Sequence, residues 1–109
     1  MEAALTTLDP KDGYTVLINT FNVRPERAEA LIKVLAEATD TMRGMPGFVS
    51  ANLHLSQDGT RVVNYAQWRS KTDFDSMLQN PEAQPHMQAA ADLADSYEPI
   101  LYTLRVSES

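Results

Sequence analysis

The segment RVVNYAQW at residues 61–68 decides how this chain folds. β-Branched and aromatic residues dominate it, so it predicts a β-strand. Because strand side chains alternate in direction, Val62, Asn64, Ala66 and Trp68 are expected to share one face of a sheet. A buried asparagine without a partner costs about 1–3 kcal/mol. That face therefore holds either a satisfied polar network or a binding pocket.

Helix and strand signals on either side of this segment predict the order β-α-β-β-α-β. Asp58-Gly59 is a strong hairpin signal, so the strands on its two sides are expected to pair antiparallel. Pro99 is expected to end the last helix, because proline interrupts helices. The predicted strands are residues 14–23, 48–56, 60–69 and 100–106, and the helices follow Pro25, Ser70 and Pro85. This order is typical of an α+β, ferredoxin-like domain with an antiparallel four-stranded sheet.

Length and composition indicate one domain, since 109 residues lie near the commonest domain size. Residues 13–109 are assigned to this domain, and residues 1–12 are interpreted as a flexible N-terminal arm without a secretion signal. A net charge of −6 with scattered basic residues argues against a nucleic-acid partner, and none is expected. No apolar run reaches the length of a membrane span. A cytoplasmic protein without a membrane partner is expected.

The predicted architecture leaves one face of the sheet without helices. Bare apolar sheet faces are usually covered by a partner. The simplest cover is a second copy of the same chain, related by a two-fold axis. We therefore expect a homodimer in which two sheets form a dimeric α/β barrel.

No pattern in the sequence predicts a metal ion or a bound cofactor. Cysteine is absent, and the two histidines, His54 and His86, lie far apart without a metal-ligand spacing. Neither a glycine-rich phosphate loop nor a nucleophile elbow is present. If such a chain carries out an oxidation, the substrate itself must supply the electrons.

Three motifs together resemble the antibiotic biosynthesis monooxygenases. They are NYAQW at residues 64–68, Asp58-Gly59-Thr60 just before that strand, and Pro46-Gly47-Phe48 at the start of the preceding strand. The likeness runs from about residue 14 to residue 104. It is greatest for the branch of aromatic polyketide pathways that oxidises anthrones to quinones. The resemblance implies a homodimer that uses molecular oxygen without flavin, metal or haem.

This resemblance also implies roles for particular residues. The pocket asparagine and tryptophan of the family fall on Asn64 and Trp68. Similar proteins have a tyrosine where this chain has Phe74, and an arginine on the last helix near His86. Haem-degrading members need a tryptophan near the position of Met77, so haem is not expected here.

Seven residues are therefore candidates for the site. Asn64 is expected to donate a hydrogen bond to a substrate oxygen, and Trp68 to orient the ring system, so these two are assigned as catalytic. Periodicity within one strand does not decide which face of the sheet Asn19 occupies. The remaining substrate-binding candidates are Phe74 and Met77 as pocket walls, His54 and His86 as proton acceptors, and Asn19.

The resemblance thus implies a cofactor-independent monooxygenase that acts on an anthrone or hydroquinone in aromatic polyketide tailoring. Two other functions fit the same fold, since a fold does not specify chemistry. One is a non-catalytic small-molecule-binding or stress-response protein. The other is a polyketide cyclase or isomerase that uses the same pocket.

Overall fold

A computed structural model describes residues 5–109, so residues 1–4 of the predicted arm lie outside the described part. The described residues form a 3₁₀ turn at Pro10–Asp12, strands β1 (Thr15–Asn22), β2 (Phe48–Leu55), β3 (Arg61–Trp68) and β4 (Ser96–Thr103), and helices α1 (Pro25–Met42), α2 (Lys71–Gln79) and α3 (Gln84–Leu93). The strands form one sheet in the order β2-β3-β1-β4, and every neighbouring pair is antiparallel. The predicted α+β ferredoxin-like fold is confirmed.

A tight hairpin between β2 and β3 fixes their register. The Asp58 carboxylate accepts hydrogen bonds from the Thr60 hydroxyl at 2.7 Å, the Thr60 N–H at 3.0 Å and the Ser56 hydroxyl at 2.8 Å. The bonds from Thr60, followed by the bond from Ser56, lower the pKa of Asp58 to about 2. The Asp58 carboxylate therefore stays ionised, and can keep accepting these hydrogen bonds, at any pH well above 2. In the register that this turn sets, Leu53 lies opposite Asn64.

A β-bulge interrupts β2 near its start. Phe48 pairs with Trp68 and Ser50 pairs with Gln67, so Val49 is an extra residue without a partner on β3. Phe48 therefore lies on the same face of the sheet as Trp68. The bulge also places Ser50 on the opposite face, together with Gln67.

The three helices pack against one face of the sheet. Two apolar clusters form the core. One surrounds Trp68, and the other surrounds the fully buried residues Leu31 and Val62. Leu17 and Ala66 belong to the first cluster. Phe21 and Val62 belong to the second. The residues between them on the two central strands are both asparagines, so a polar pair divides the core.

The last strand begins earlier than the sequence indicates. Pro99 was expected to end a helix, but it lies inside β4, opposite Asn19, so that prediction is wrong. The reason is the position of β4 at the edge of the sheet, where a residue without an N–H group is tolerated. Helix α3 already ends at Leu93, with Ala94 as its cap.

The N-terminal arm crosses the face of the sheet that has no helices. The Thr6 hydroxyl donates to Asn52 Oδ1 at 2.8 Å, and Gln67 Nε2 donates to the Thr7 carbonyl at 3.0 Å. Gln67 is only 2% exposed as a result. The face that the sequence predicted to be bare is therefore partly covered by the chain itself, while the flexibility of the 1–12 arm stays a prediction.

Candidate active site

A cavity of about 480 Å³ lies between the sheet and the three helices. This volume is within the range of small-molecule sites. Apolar side chains form most of its surface, and the sheet and all three helices contribute to it. Its sheet wall includes Leu17, Asn19, Phe21, Asn64, Ala66 and Trp68, and its helix wall includes Leu35, Ala38, Thr39, Met42, Phe74, Met77, His86, Met87 and Ala90.

Two asparagines form the polar part of the sheet wall. Asn19 on β1 lies directly opposite Asn64 on β3, and both line the cavity. The Oδ1 atom of each is buried and has no hydrogen-bond partner among the described residues. An amide offers one donor and one acceptor side, so either orientation presents polar groups to the cavity. Of the two readings of Asn64, the structure thus favours a binding pocket over a satisfied network.

An aromatic cluster closes one end of the cavity. Trp68 is 1% exposed and meets Phe48 edge-on, with ring centroids 5.5 Å apart and an interplanar angle of 87°. Phe74 approaches the other side at 6.3 Å and 73°. These three rings fix one another in edge-to-face contacts. They give that end of the cavity a rigid apolar wall suited to a planar ring system.

The start of α2 aims Phe74 and Met77 into the cavity. The Ser70 hydroxyl accepts a hydrogen bond from the Asp73 N–H at 3.1 Å and so caps the helix, as the sequence predicts. Gly47, with φ of +82°, brings the chain directly against the Asp73 side chain. The turn before β2 and the first turn of α2 therefore hold each other in place.

The two histidines have different locations. His86 lies in the first turn of α3 and lines the cavity, and its Nε2 is 3.0 Å from the Thr41 hydroxyl of α1. His54 pairs with Val63 on the outer face of the sheet and is exposed. The expectation that His54 contributes to the pocket is therefore corrected. Because side chains alternate along a strand, His54 shares a face of β2 with Ser50 and Asn52. The pairing of β2 with β3 places that face on the side of the sheet without helices.

The structure thus places six of the seven candidates at one cavity. It also adds residues that the sequence analysis missed. One is Thr39, which lies one helical turn after Leu35 on α1 and which no pattern in the sequence singled out. Tyr97 lies opposite Phe21 at the mouth of the cavity, with ring centroids 6.0 Å apart, and was missed because β4 was expected to start after it.

Within residues 5–109, no group of three or more histidine, aspartate or glutamate side chains is arranged to hold a metal ion. In the same part of the chain, no helix combines the length and the apolar character that a membrane crossing requires. The polar groups among the described residues that line the cavity are the side-chain amides of four residues, one hydroxyl, one imidazole and one phenol: Asn19, Asn64, Gln84, Gln88, Thr39, His86 and Tyr97.

Residues 15–93 match the family model described as antibiotic biosynthesis monooxygenase. The chain belongs to this family. Within it, the tetracenomycin-F1 monooxygenase of Streptomyces glaucescens is 49% identical over 83 residues, which cover 75% of this chain and 74% of the relative. The family predicted from the motifs of β2 and β3 is therefore confirmed.

Solved structures of family members agree with this assignment. SnoaB, a cofactor-independent oxygenase from Streptomyces nogalater, is 28% identical and superimposes with a TM-score of 0.76 over 87% of this chain and 96% of that one. A monooxygenase from the gene ActVA-Orf6 of Streptomyces coelicolor, solved with the ligand nanaomycin D, is also 28% identical. It superimposes with a TM-score of 0.83 over 91% and 94% of the two chains. The expected independence from cofactors agrees with what is described for SnoaB.

Proposed function

We propose that this protein is a cofactor-independent monooxygenase that oxidises a polycyclic phenolic substrate, an anthrone or hydroquinone, to a quinone in aromatic polyketide tailoring. The observation that carries the proposal is the cavity itself. It combines an aromatic wall around Trp68 with the buried Oδ1 atoms of Asn19 and Asn64, which have no hydrogen-bond partner among the described residues. A planar, mostly apolar molecule with oxygen atoms along one edge satisfies both features.

The arrangement suits a reaction in which the substrate is activated by losing a proton. An anthrone anion is electron-rich and can pass an electron to oxygen. Recombination gives a peroxide at the ring carbon, and loss of water then leaves the carbonyl group. One oxygen atom enters the quinone and the other leaves in water, so the substrate and O₂ balance the reaction without a further reductant. The protein needs to hold the anion, exclude water and move the proton.

Asn64 and Asn19 are assigned to the substrate oxygens. Their amide N–H groups can donate to an oxygen that gains negative charge, while their carbonyl groups accept from a neighbouring phenol. Trp68, Phe74 and Met77 hold the ring system. Burial strengthens each of these polar contacts, because the surrounding apolar wall lowers the local dielectric.

The first test is turnover of a dihydroxyanthrone under air. We expect quinone absorbance to rise faster than the uncatalysed background, with one O₂ consumed for each quinone formed. With ¹⁸O₂, one labelled oxygen should appear in the quinone carbonyl. Stoichiometric binding of the anthrone without oxygen uptake would instead support a non-catalytic binding protein. A product that has not gained an oxygen atom would support the cyclase or isomerase function.

The homodimer is part of the same proposal. On the outer face of the sheet, Ile100 is 40% exposed and Tyr102 is 45% exposed, beside the half-buried Ile18 and Val63. The N-terminal arm covers the Gln67 end of that face and leaves these residues open. A second copy would bury them, since large apolar patches on stable proteins are usually covered. The cytoplasmic location stays a prediction.

Sedimentation at micromolar concentration tests this assembly. We expect a dimer for the parent protein and a shift towards monomer for Ile100→Asp, because a buried carboxylate without a partner is costly. Lys33→Asp changes charge on an exposed position of α1 and should leave the dimer unchanged. A parent protein that sediments as a monomer would contradict the proposed dimer.

A further inference from the structure

Only two ionisable side chains are found among the described residues that line the cavity, His86 and Tyr97. A tyrosine ordinarily keeps its proton at neutral pH, whereas an imidazole exchanges one readily. Tyr97 is also 53% exposed at the mouth, while His86 is half-buried on the helix wall. A proton that leaves a substrate inside this cavity therefore has one evident acceptor.

Other polar groups on the helix wall are committed to the protein. Gln84 Nε2 donates to the Leu78 carbonyl at 2.6 Å, and Gln88 Nε2 donates to Asp92 at 2.8 Å. The Thr39 hydroxyl donates to a carbonyl of its own helix at 2.9 Å. Amides and hydroxyls of this kind are also poor bases. The imidazole is thus the group on this wall suited to proton transfer.

A hydroxyl from the neighbouring helix holds that imidazole. Thr41 Oγ1 in the last turn of α1 lies 3.0 Å from His86 Nε2, and Thr41 itself is not part of the cavity lining. When Nε2–H donates to Thr41, Nδ1 carries the lone pair and can accept a proton. The same bond persists after protonation and fixes the ring plane. The hydroxyl therefore holds the ring in place, and it can accept from Nε2–H in the tautomer that leaves Nδ1 free to take up a proton.

From this geometry we propose that His86 Nδ1 accepts the substrate proton and that Thr41 is the positioning residue for the ring, an assignment that rests on the proposed oxygenase function. The substrate C–H bond breaks, its electron pair stays on the ring system, and an N–H bond forms at Nδ1. After O₂ has added to the anion, the imidazolium returns the proton to the peroxide oxygen. The histidine ends each cycle neutral, and the oxidant is the O₂ already required.

The test compares variants in aerobic turnover of a dihydroxyanthrone. For His86→Ala we expect kcat to fall about 100-fold, the lower range for loss of a general base, with KM changed less than about threefold. Imidazole added to the buffer should restore part of that kcat. His86→Gln keeps a polar side chain at this position but has no basic nitrogen to accept a proton, so it should be as slow as His86→Ala and should not respond to imidazole.

Thr41 variants separate positioning from folding. Thr41→Val keeps the shape of the side chain and removes the hydroxyl, and we expect kcat to fall about tenfold at unchanged KM, in line with the loss of one orienting hydrogen bond. Thr41→Ser restores the hydroxyl and should restore kcat. His54→Ala removes the other histidine, on the outer face, and should match the parent. Thermal unfolding confirms that each variant is folded.

The outcomes distinguish this proposal from the proposed function. An active parent with equally active His86→Ala and His86→Gln variants would overturn the proton assignment and leave the oxygenase in place. If kcat falls but imidazole does not restore it, and Thr41→Val is as active as Thr41→Ser, the His86–Thr41 pair is structural and the proposal is wrong. A parent without turnover would overturn the oxygenase function, and this assignment with it.

Discussion

Asn64→Ala is expected to remove most of the oxidising activity while leaving the stability of the protein unchanged or slightly raised. Removing one donor to a developing oxyanion costs roughly 10²–10³ in rate in enzymes that use such donors. The amide contributes little to folding, because Asn64 Oδ1 is buried without a partner. Such a group destabilises by about 1–3 kcal/mol, and its removal relieves that cost. Initial rates of anthrone oxidation and thermal unfolding of the same samples measure the two effects.

Asn19→Ala is the matched comparison, because this residue lies directly opposite on the neighbouring strand and has the same unpartnered oxygen. If both amides bind one substrate edge, the double variant should lose less activity than the product of the two single losses. Asn64→Ala with parental turnover would mean that the polar pair does not act on the substrate. Asn64→Ala with a strongly lowered melting temperature would mean that the amide is structural.

Gly47→Ala is expected to destabilise the protein by about 2–3 kcal/mol. A side chain at φ of +82° costs roughly 1–2 kcal/mol on its own. The new Cβ would also overlap the Asp73 side chain, which must move and weaken the cap of α2 at a cost of about 1 kcal/mol. For a domain of this size the melting temperature should fall by more than about 10 °C. Because α2 carries Phe74 and Met77, substrate binding should weaken as well.

Gly13→Ala provides the control for backbone strain. Gly13 also has a positive φ, of 66°, but a Cβ there would meet nothing within 4 Å. Its loss of stability therefore measures the conformational cost alone. Adding Asp73→Ala to Gly47→Ala should recover part of the remaining difference, because the overlapping side chain is then gone. Equal losses for Gly13→Ala and Gly47→Ala would show that the contact with Asp73 has no energetic role.

Local signals predicted the fold well where they are unambiguous. Pro25 opens α1, Asp58-Gly59 forms the hairpin, and Ser70 caps α2. The failure at Pro99 has a different origin. Proline is disfavoured in helix interiors and in central strands alike, and the position of β4 at the sheet edge makes it acceptable in this strand. That position depends on the whole topology and cannot be seen in the local sequence.

The site could be predicted only within single strands. Alternation of side chains within β3 placed Asn64 and Trp68 on one face of the sheet. It did not show which side chains of β2 share that face, so His54 was kept as a candidate. The pairing of Asn19 with Asn64 depends on the register between β1 and β3. The contact between Thr41 and His86 depends on the packing of α1 against α3. Both are tertiary facts that no spacing in the sequence encodes.

The β-bulge at Val49 determines where β2 can lose one residue and keep its pairing with β3. Elsewhere in a strand, gain or loss of one residue turns every side chain beyond that point to the opposite face. At the bulge the outcome is different. Deletion of Val49 would give a regular ladder in which Phe48 still pairs with Trp68 and Ser50 still pairs with Gln67. Evolution can therefore shorten β2 by one residue at this point without exchanging the wall of the cavity for the outer surface of the sheet.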